Sequence, residues 1–364
     1  MKKLKNKFNI RGKAMIILGI LALAICVFLL LYNLSGCSEI SAENLYKFEN
    51  DFNYQIDEFH GKIFTLGYEG VKLLNFNGQQ TDYIESHMSS PHYNISGNMI
   101  LLYDKGDKKL SVYEGVNKKY SYECDQPIKN AKVNKNGYTV LTSDEVGYNS
   151  KVLVLDSKGQ LIYIWKIGNE YIVDMDIAPD NKSLVAVTIS TDTGVIVKNV
   201  VLIDIKAAVE TGRAKVEGDM PISVKYTDSG SSIVVSDTGL KLYDSKAREK
   251  WNVSFENNIL QSFKVDSNGN TIVALKGIKN NTIIRSYTKN GSKAGEYITD
   301  TKVSFIDVNQ RNIAICEESA VSVINYSGKV ISTTEIKKKV RGICLAGTDK
   351  VLILCDDCIQ LIRI

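Results

Sequence analysis

The sequence is poor in the residues that most often carry chemistry. It has three His, four Pro and two Trp in 364 residues. Three His leave little material for a His-based metal site or a catalytic triad. Few Pro and an ordinary charged fraction of 24% argue against a largely disordered chain. No acid precedes Glu39. The net charge of +4 is not a basic surface either. Lys2, Lys3, Lys5, Lys7, Arg11 and Lys13 lie in residues 1–13, and without these six the 45 bases fall to 39 against 41 acids. A nearly neutral body gives no case for a nucleic-acid-binding surface, and no nucleic-acid partner is expected.

What is present begins with Ala14–Leu31, 18 residues without a charge. As a helix this run would rise about 27 Å, close to the roughly 30 Å hydrocarbon core of a bilayer. Cations before it and acids only after it place the N-terminus in the cytoplasm. The expected organisation is a basic cytoplasmic tail over 1–13, a transmembrane signal-anchor helix over 14–34, a linker over 35–42 and a body over 43–364 outside the membrane. Leu34-Ser35-Gly36-Cys37 resembles a bacterial lipobox, which would make Cys37 a lipidated N-terminus. The apolar run is longer than the roughly 7–15 residues of a cleaved signal, and Tyr32 and Asn33 interrupt it. An uncleaved anchor is therefore preferred. Either outcome tethers the same body to the same side of the cell membrane.

From about residue 44 one phrase recurs. A short apolar strand leads into a turn of Asp, Asn and Gly, then a β-branched strand, then a third strand. The turn and second strand read NISGNMILLYD at 94–104, NKNGYTVLTSD at 134–144, APDNKSLVAVTIS at 178–190, TDSGSSIVVSD at 227–237 and DSNGNTIVALK at 266–276. Asp, Asn and Gly tolerate left-handed backbone or bond it locally. The alternation has the period of a strand. Units begin near 54, 91, 127, 171, 219, 260, 302 and 340, about 40 residues apart. That period predicts an all-β fold, a β-propeller of about eight four-stranded blades, with seven as the alternative. Separate β-sandwiches need roughly 100 residues each. The last unit has room for three strands, so residues 43–51 are expected to supply its fourth and close the ring.

This pattern resembles an uncharacterised family of membrane-anchored, quinoprotein-like or WD-like propellers of Gram-positive bacteria, carrying a domain-of-unknown-function label. APDNKSLVAV and the terminal VLILCDDCIQLIRI are its most specific pieces. The resemblance implies fold and topology and no activity. It carries no cofactor: there is no Trp motif per blade and no acidic cluster suited to Ca²⁺ beside a quinone.

Candidate chemistry is sparse. Cys355-Asp356-Asp357-Cys358 has the C-x-x-C spacing of a redox dithiol or half a zinc site. Its flanks read as strands, which makes Asp356-Asp357 a two-residue hairpin turn. A hairpin disulfide is a further reading. His87 and His92 bracket Ser89 and Ser90 without a nucleophile-elbow motif, and surface loop is the simpler reading for these and for His60. Asp180 reads as a turn residue. Longer connections are expected at Asp144–Ser150 and Thr191–Val197, on the face of the blade-to-blade links. Asp144, Glu145, Tyr148 and Asp192 are the candidate contact residues there. The leading expectation is a non-enzymatic interaction or sensing scaffold at the cell envelope, with an unidentified envelope protein as partner. The alternative is an envelope enzyme or carbohydrate-binding protein using the central opening. Converging Asp or Glu in that opening would favour the alternative. A filled or featureless channel would favour the scaffold.

Overall fold

The computed structural model describes residues 42–48, 54–192, 194–266 and 268–364. The tail, the anchor, Cys37 and the last residues of the 43–51 segment lie outside them. Among the described residues no helix is long and apolar enough to cross a membrane.

Residues 42–364 form one compact unit. Among the described residues thirty-two strands make eight four-stranded antiparallel sheets, each a meander in chain order except the last. Blades 1 to 8 begin at Gln55, Pro91, Ile128, Tyr171, Pro221, Ile259, Phe305 and Val340, within three residues of the expected starts. The eighth sheet takes three strands from the C-terminus. Its outer strand is Glu43–Lys47, antiparallel to Cys358–Arg363. Gln360 Nε2 donates to Asn44 Oδ1 at 3.0 Å across that seam, and Phe48 stacks on Tyr54 with ring centroids 3.9 Å apart.

The second and third strands of each blade are covered on both faces by neighbouring blades. This is why Ser232–Ser236 and Asn312–Cys316 are buried at every position, and why they read as continuous apolar runs. The core is accordingly divided into layers between blades. Val140, Val152 and Val154 of blade 3 meet Ala186, Val201 and Ile203 of blade 4 in one such layer. Outer strands are half exposed. Each is bulged by one residue, for example at Thr81 between the pairs Leu73–Asp82 and Leu74–Gln80, and at Leu45 in the closing strand. A bulge bends a free edge away from further pairing.

Strands alternate in direction, so the disc has two unlike faces. First-to-second and third-to-fourth connections emerge on one, the turn face. Second-to-third hairpins and blade-to-blade links emerge on the other, the hairpin face. On the turn face an Asp or Asn repeatedly caps its own turn. Asp156 Oδ1 accepts from the N–H groups of Lys158 and Gln160 at 2.8 and 2.9 Å, and Asp244 and Asn325 repeat the pattern. On the hairpin face, the segments expected as loops continue as strands. Blade 3 pairs Glu145 with Tyr148, and blade 4 pairs Ser183–Asp192 with Val195–Asp204 to the tip. The β-branched Thr188–Thr191 and Val195–Val197 favour extended backbone, while Gly147 and Gly194, at φ 81° and 84°, make the tight turns.

Candidate functional site

The first strand of each blade lines the central channel with its unpaired edge. Near the end of each, at matching register, stand Asp57, Asn94, Lys132, Asp176, Lys225, Lys264, Asp307 and Cys344. An unpaired edge N–H needs a partner, and these side chains supply it across blade junctions. Val133 N–H donates to Asn94 Oδ1 at 2.9 Å, Tyr226 N–H to Asp176 Oδ2 at 2.8 Å and Leu345 N–H to Asp307 Oδ2 at 2.8 Å. Val224 N–H donates to Asp174 Oδ2 at 3.0 Å, and Lys132 Nζ reaches the same carboxylate at 2.8 Å. Lys225 Nζ donates to Val265 O at 2.7 Å, and Lys264 pairs with Asp307 at 3.0 Å. Tyr93 O–H donates to Asp57 Oδ2 at 3.0 Å, and the Cys344 thiol lies 3.8 Å from Asp57 Oδ1. Every junction around the ring carries at least one such clasp.

Burial raises the Asp57 carboxyl above its usual range, with Asp307 adding to the effect. Burial also raises Asp176, against the pull of Lys132 and the Tyr226 N–H. Burial lowers Lys225. It pulls the same way on Lys264, where Asp307 outweighs it and the ammonium is held. Carboxylates do converge on the channel, but Asp57, Asp174, Asp176 and Asp307 are each engaged by a neighbouring strand. Among the described residues no group of three or more His, Cys, Asp or Glu is placed to hold a metal ion.

The four contact candidates lie on the hairpin face. Asp144 is ion-paired with Lys129. Glu145 takes Lys151 Nζ at 2.7 Å and Lys166 Nζ at 2.9 Å, and these two hydrogen bonds hold its carboxyl below the usual range. Lys166 Nζ also lies 5.6 Å from the Tyr148 ring centroid, a cation–π distance. Asp192 sits on the neighbouring hairpin, paired across its tip with Val195. The acids of blade 3 are thus committed inside the blade, and the open groups are apolar. Val146 is 88% exposed, Val195 64%, Tyr171 54%, Ile196 53% and Tyr148 45%. Of these only Tyr148 was chosen from sequence. For Val146, Val195 and Ile196 the signal was apolar residues inside segments read as loops, whereas Tyr171 stands at the expected start of a unit.

Cys355 and Cys358 close the two-residue hairpin as free, buried thiols beside the ring seam. Burial pushes Cys355 up to about 12. It raises Cys358 too, although Lys338 Nζ, 3.2 Å from its sulfur, pulls the other way. Thiols held this high are poor nucleophiles at neutral pH. Each His has separate surroundings: His87 Nε2 lies 3.2 Å from Glu85, His92 Nδ1 lies 2.9 Å from Ser90 O, and His60 occupies a turn at φ 49°. Asp180 Oδ1 accepts from Lys182 N–H at 3.0 Å, as a turn residue does.

Eight radially packed four-stranded sheets define an eight-bladed β-propeller. The chain belongs to a family of unknown function (DUF5711), matched over residues 34–364. Among solved structures it is similar to BamB from Moraxella catarrhalis, with 11% identity, a TM-score of 0.56 and coverage of 90% of this chain and 99% of that one. It is also similar to the C-terminal WD40 domain of Sif2, with 10% identity, a TM-score of 0.66 and coverage of 89% and 98%. At these identities the likeness is one of fold. No curated protein matches the sequence.

Proposed function

We propose that the protein is a membrane-tethered extracytoplasmic scaffold that holds a protein partner on its hairpin face and performs no chemistry of its own. The observation that carries this reading is the contrast between open apolar groups and committed charges over blades 3 and 4. Val146, Tyr148, Tyr171, Val195 and Ile196 are exposed there. Three neighbouring acids are ion-paired, Asp144 with Lys129, Glu145 with Lys151 and Lys166, and Glu170 with Arg213 at 2.6 Å, while Asp192 stands exposed at the blade 4 tip. Interface centres are depleted of charge and enriched in aromatic groups in this way. The BamB and WD40 likenesses support a rigid presenting fold. The basic tail and the 18-residue apolar run support the anchor.

The test is crosslinked capture from intact cells with the full chain. Val195→Ser combined with Ile196→Ser should abolish capture of the partner while the melting temperature stays within about 1 °C, since both side chains are exposed. Undiminished capture by the double variant would falsify this placement. Intact mass of the purified protein checks the anchor: a chain retaining Met1 is expected, and a lipidated Cys37 terminus would replace the uncleaved anchor with a lipoprotein.

A further inference from the structure

A cavity of about 590 Å³ opens on the hairpin face between blades 2, 3 and 4. Small-molecule sites are commonly about 300–1,000 Å³. Its lining contains Lys105 and Lys129 and no carboxylate. Lys129 is paired with Asp144, whereas Lys105 has no ion pair among the described residues. By contrast, the cavity at the turn-face end of the channel sets Asp176 and Asp228 among its lysines.

The rest of the lining suits a hydroxylated ligand. Asn130 and Asn149 bring amides, and Thr142, Ser143 and Ser150 bring hydroxyls. Ser143, 2% exposed, has an Oγ with no hydrogen-bond partner. A buried polar atom left without a partner is unfavourable, and a ligand or water can relieve it. His92 also lines the cavity. Its Nδ1–H donates to the Ser90 carbonyl oxygen at 2.9 Å. Tyr171 stands at the rim, 54% exposed, with a ring face on which a sugar can pack.

We propose that this cavity binds a sugar phosphate. The phosphate meets Lys105, and the sugar hydroxyls meet the amides and hydroxyls of blade 3. A soluble sugar phosphate and the phosphorylated end of a glycan share this chemistry. Calorimetry on the full chain tests it with glucose 6-phosphate, glucose and inorganic phosphate. Glucose 6-phosphate should bind at least about tenfold more tightly than either part alone, the size of one charge-assisted contact. Lys105→Met should remove that advantage, and Asn149→Ala should weaken it, both with unchanged melting temperatures. A phosphomannan with terminal mannose 6-phosphate assigns the source: binding points to a glycan end, and binding of the monomer alone to a soluble ligand. Phosphate binding as tight as the sugar phosphate, no binding by any probe, or full affinity in Lys105→Met would each overturn the proposal. Neither substitution touches Val195 or Ile196, so this result is independent of partner capture.

Discussion

The two faces of the propeller come from the same strands and follow opposite rules. On the turn face the chain spends its polar side chains on itself. Asn75, Asn134, Asp156, Asp244 and Asn325 each bind the backbone of their own turn. On the hairpin face the second-to-third connections differ from blade to blade, and apolar groups face outward at the tips of blades 3, 4 and 6, at Val146, Val195, Ile196 and Ile278. A face made of self-satisfied turns contributes stability and little recognition. Under the proposed function, the apolar tips of blades 3 and 4 contribute recognition and little stability.

That contrast can be broken by matched substitutions. The largest effect is expected at Gly78 on the turn face. It has φ of 77°, and a Cβ there would lie 2.1 Å from the Leu45 carbonyl oxygen in the ring-closing strand. Gly78→Ala should cost about 2–4 kcal/mol, read from denaturant unfolding, because strain and a backbone clash combine. Gly147 on the hairpin face has a similar φ of 81° but nothing within 4 Å of an added Cβ. Gly147→Ala should cost only about 1 kcal/mol. Equal losses at the two positions would mean that the faces do not differ in how tightly they are built. Asp156→Ala should lose about 1 kcal/mol through its two turn hydrogen bonds, with partner capture unchanged.

The smallest effect lies between the faces, in the clasp ring. Asp57 has a carboxyl raised by burial and by Asp307. The native state therefore holds this proton more tightly than the unfolded chain. Its contribution to stability falls as pH rises from the ordinary carboxylate value through the raised one, and the deficit is complete above that window. Asp57→Asn keeps an acceptor for Tyr93 and removes the charge. Its melting temperature should exceed that of the unaltered protein at pH 7, and the gain should vanish near pH 3. A gain independent of pH would show that the clasp carboxyl does not titrate with folding.

The blades were legible in sequence because strands covered on both faces leave an unbroken β-branched run, and the turns after them leave Asp, Asn and Gly at fixed offsets. Val234 and Ile272 announce themselves in this way. The clasps were not legible. Asp176 and Lys225 look like ordinary polar positions of alternating strands, and Asp176 meets the Tyr226 N–H from 50 residues away. Separation along the chain also hides the hairpin-face cavity, which gathers His92, Ser143 and Tyr171 from three blades. The hairpins of blades 3 and 4 were located, but their acids were weighed above the aliphatic groups beside them. Sequence does not display that Lys151, 6% exposed, lies under Glu145.

The seam between Glu43–Lys47 and Cys358–Arg363 joins the earliest-made part of the body to the last. During synthesis the closing strand waits while seven whole blades appear, and its partner emerges only with the third strand of blade 8. Each blade can form its local hairpins as it is made, but the circle cannot shut before Cys358–Arg363 has been made. A chain cut short anywhere before Cys358 retains an unmated first strand and an exposed flank on blade 1.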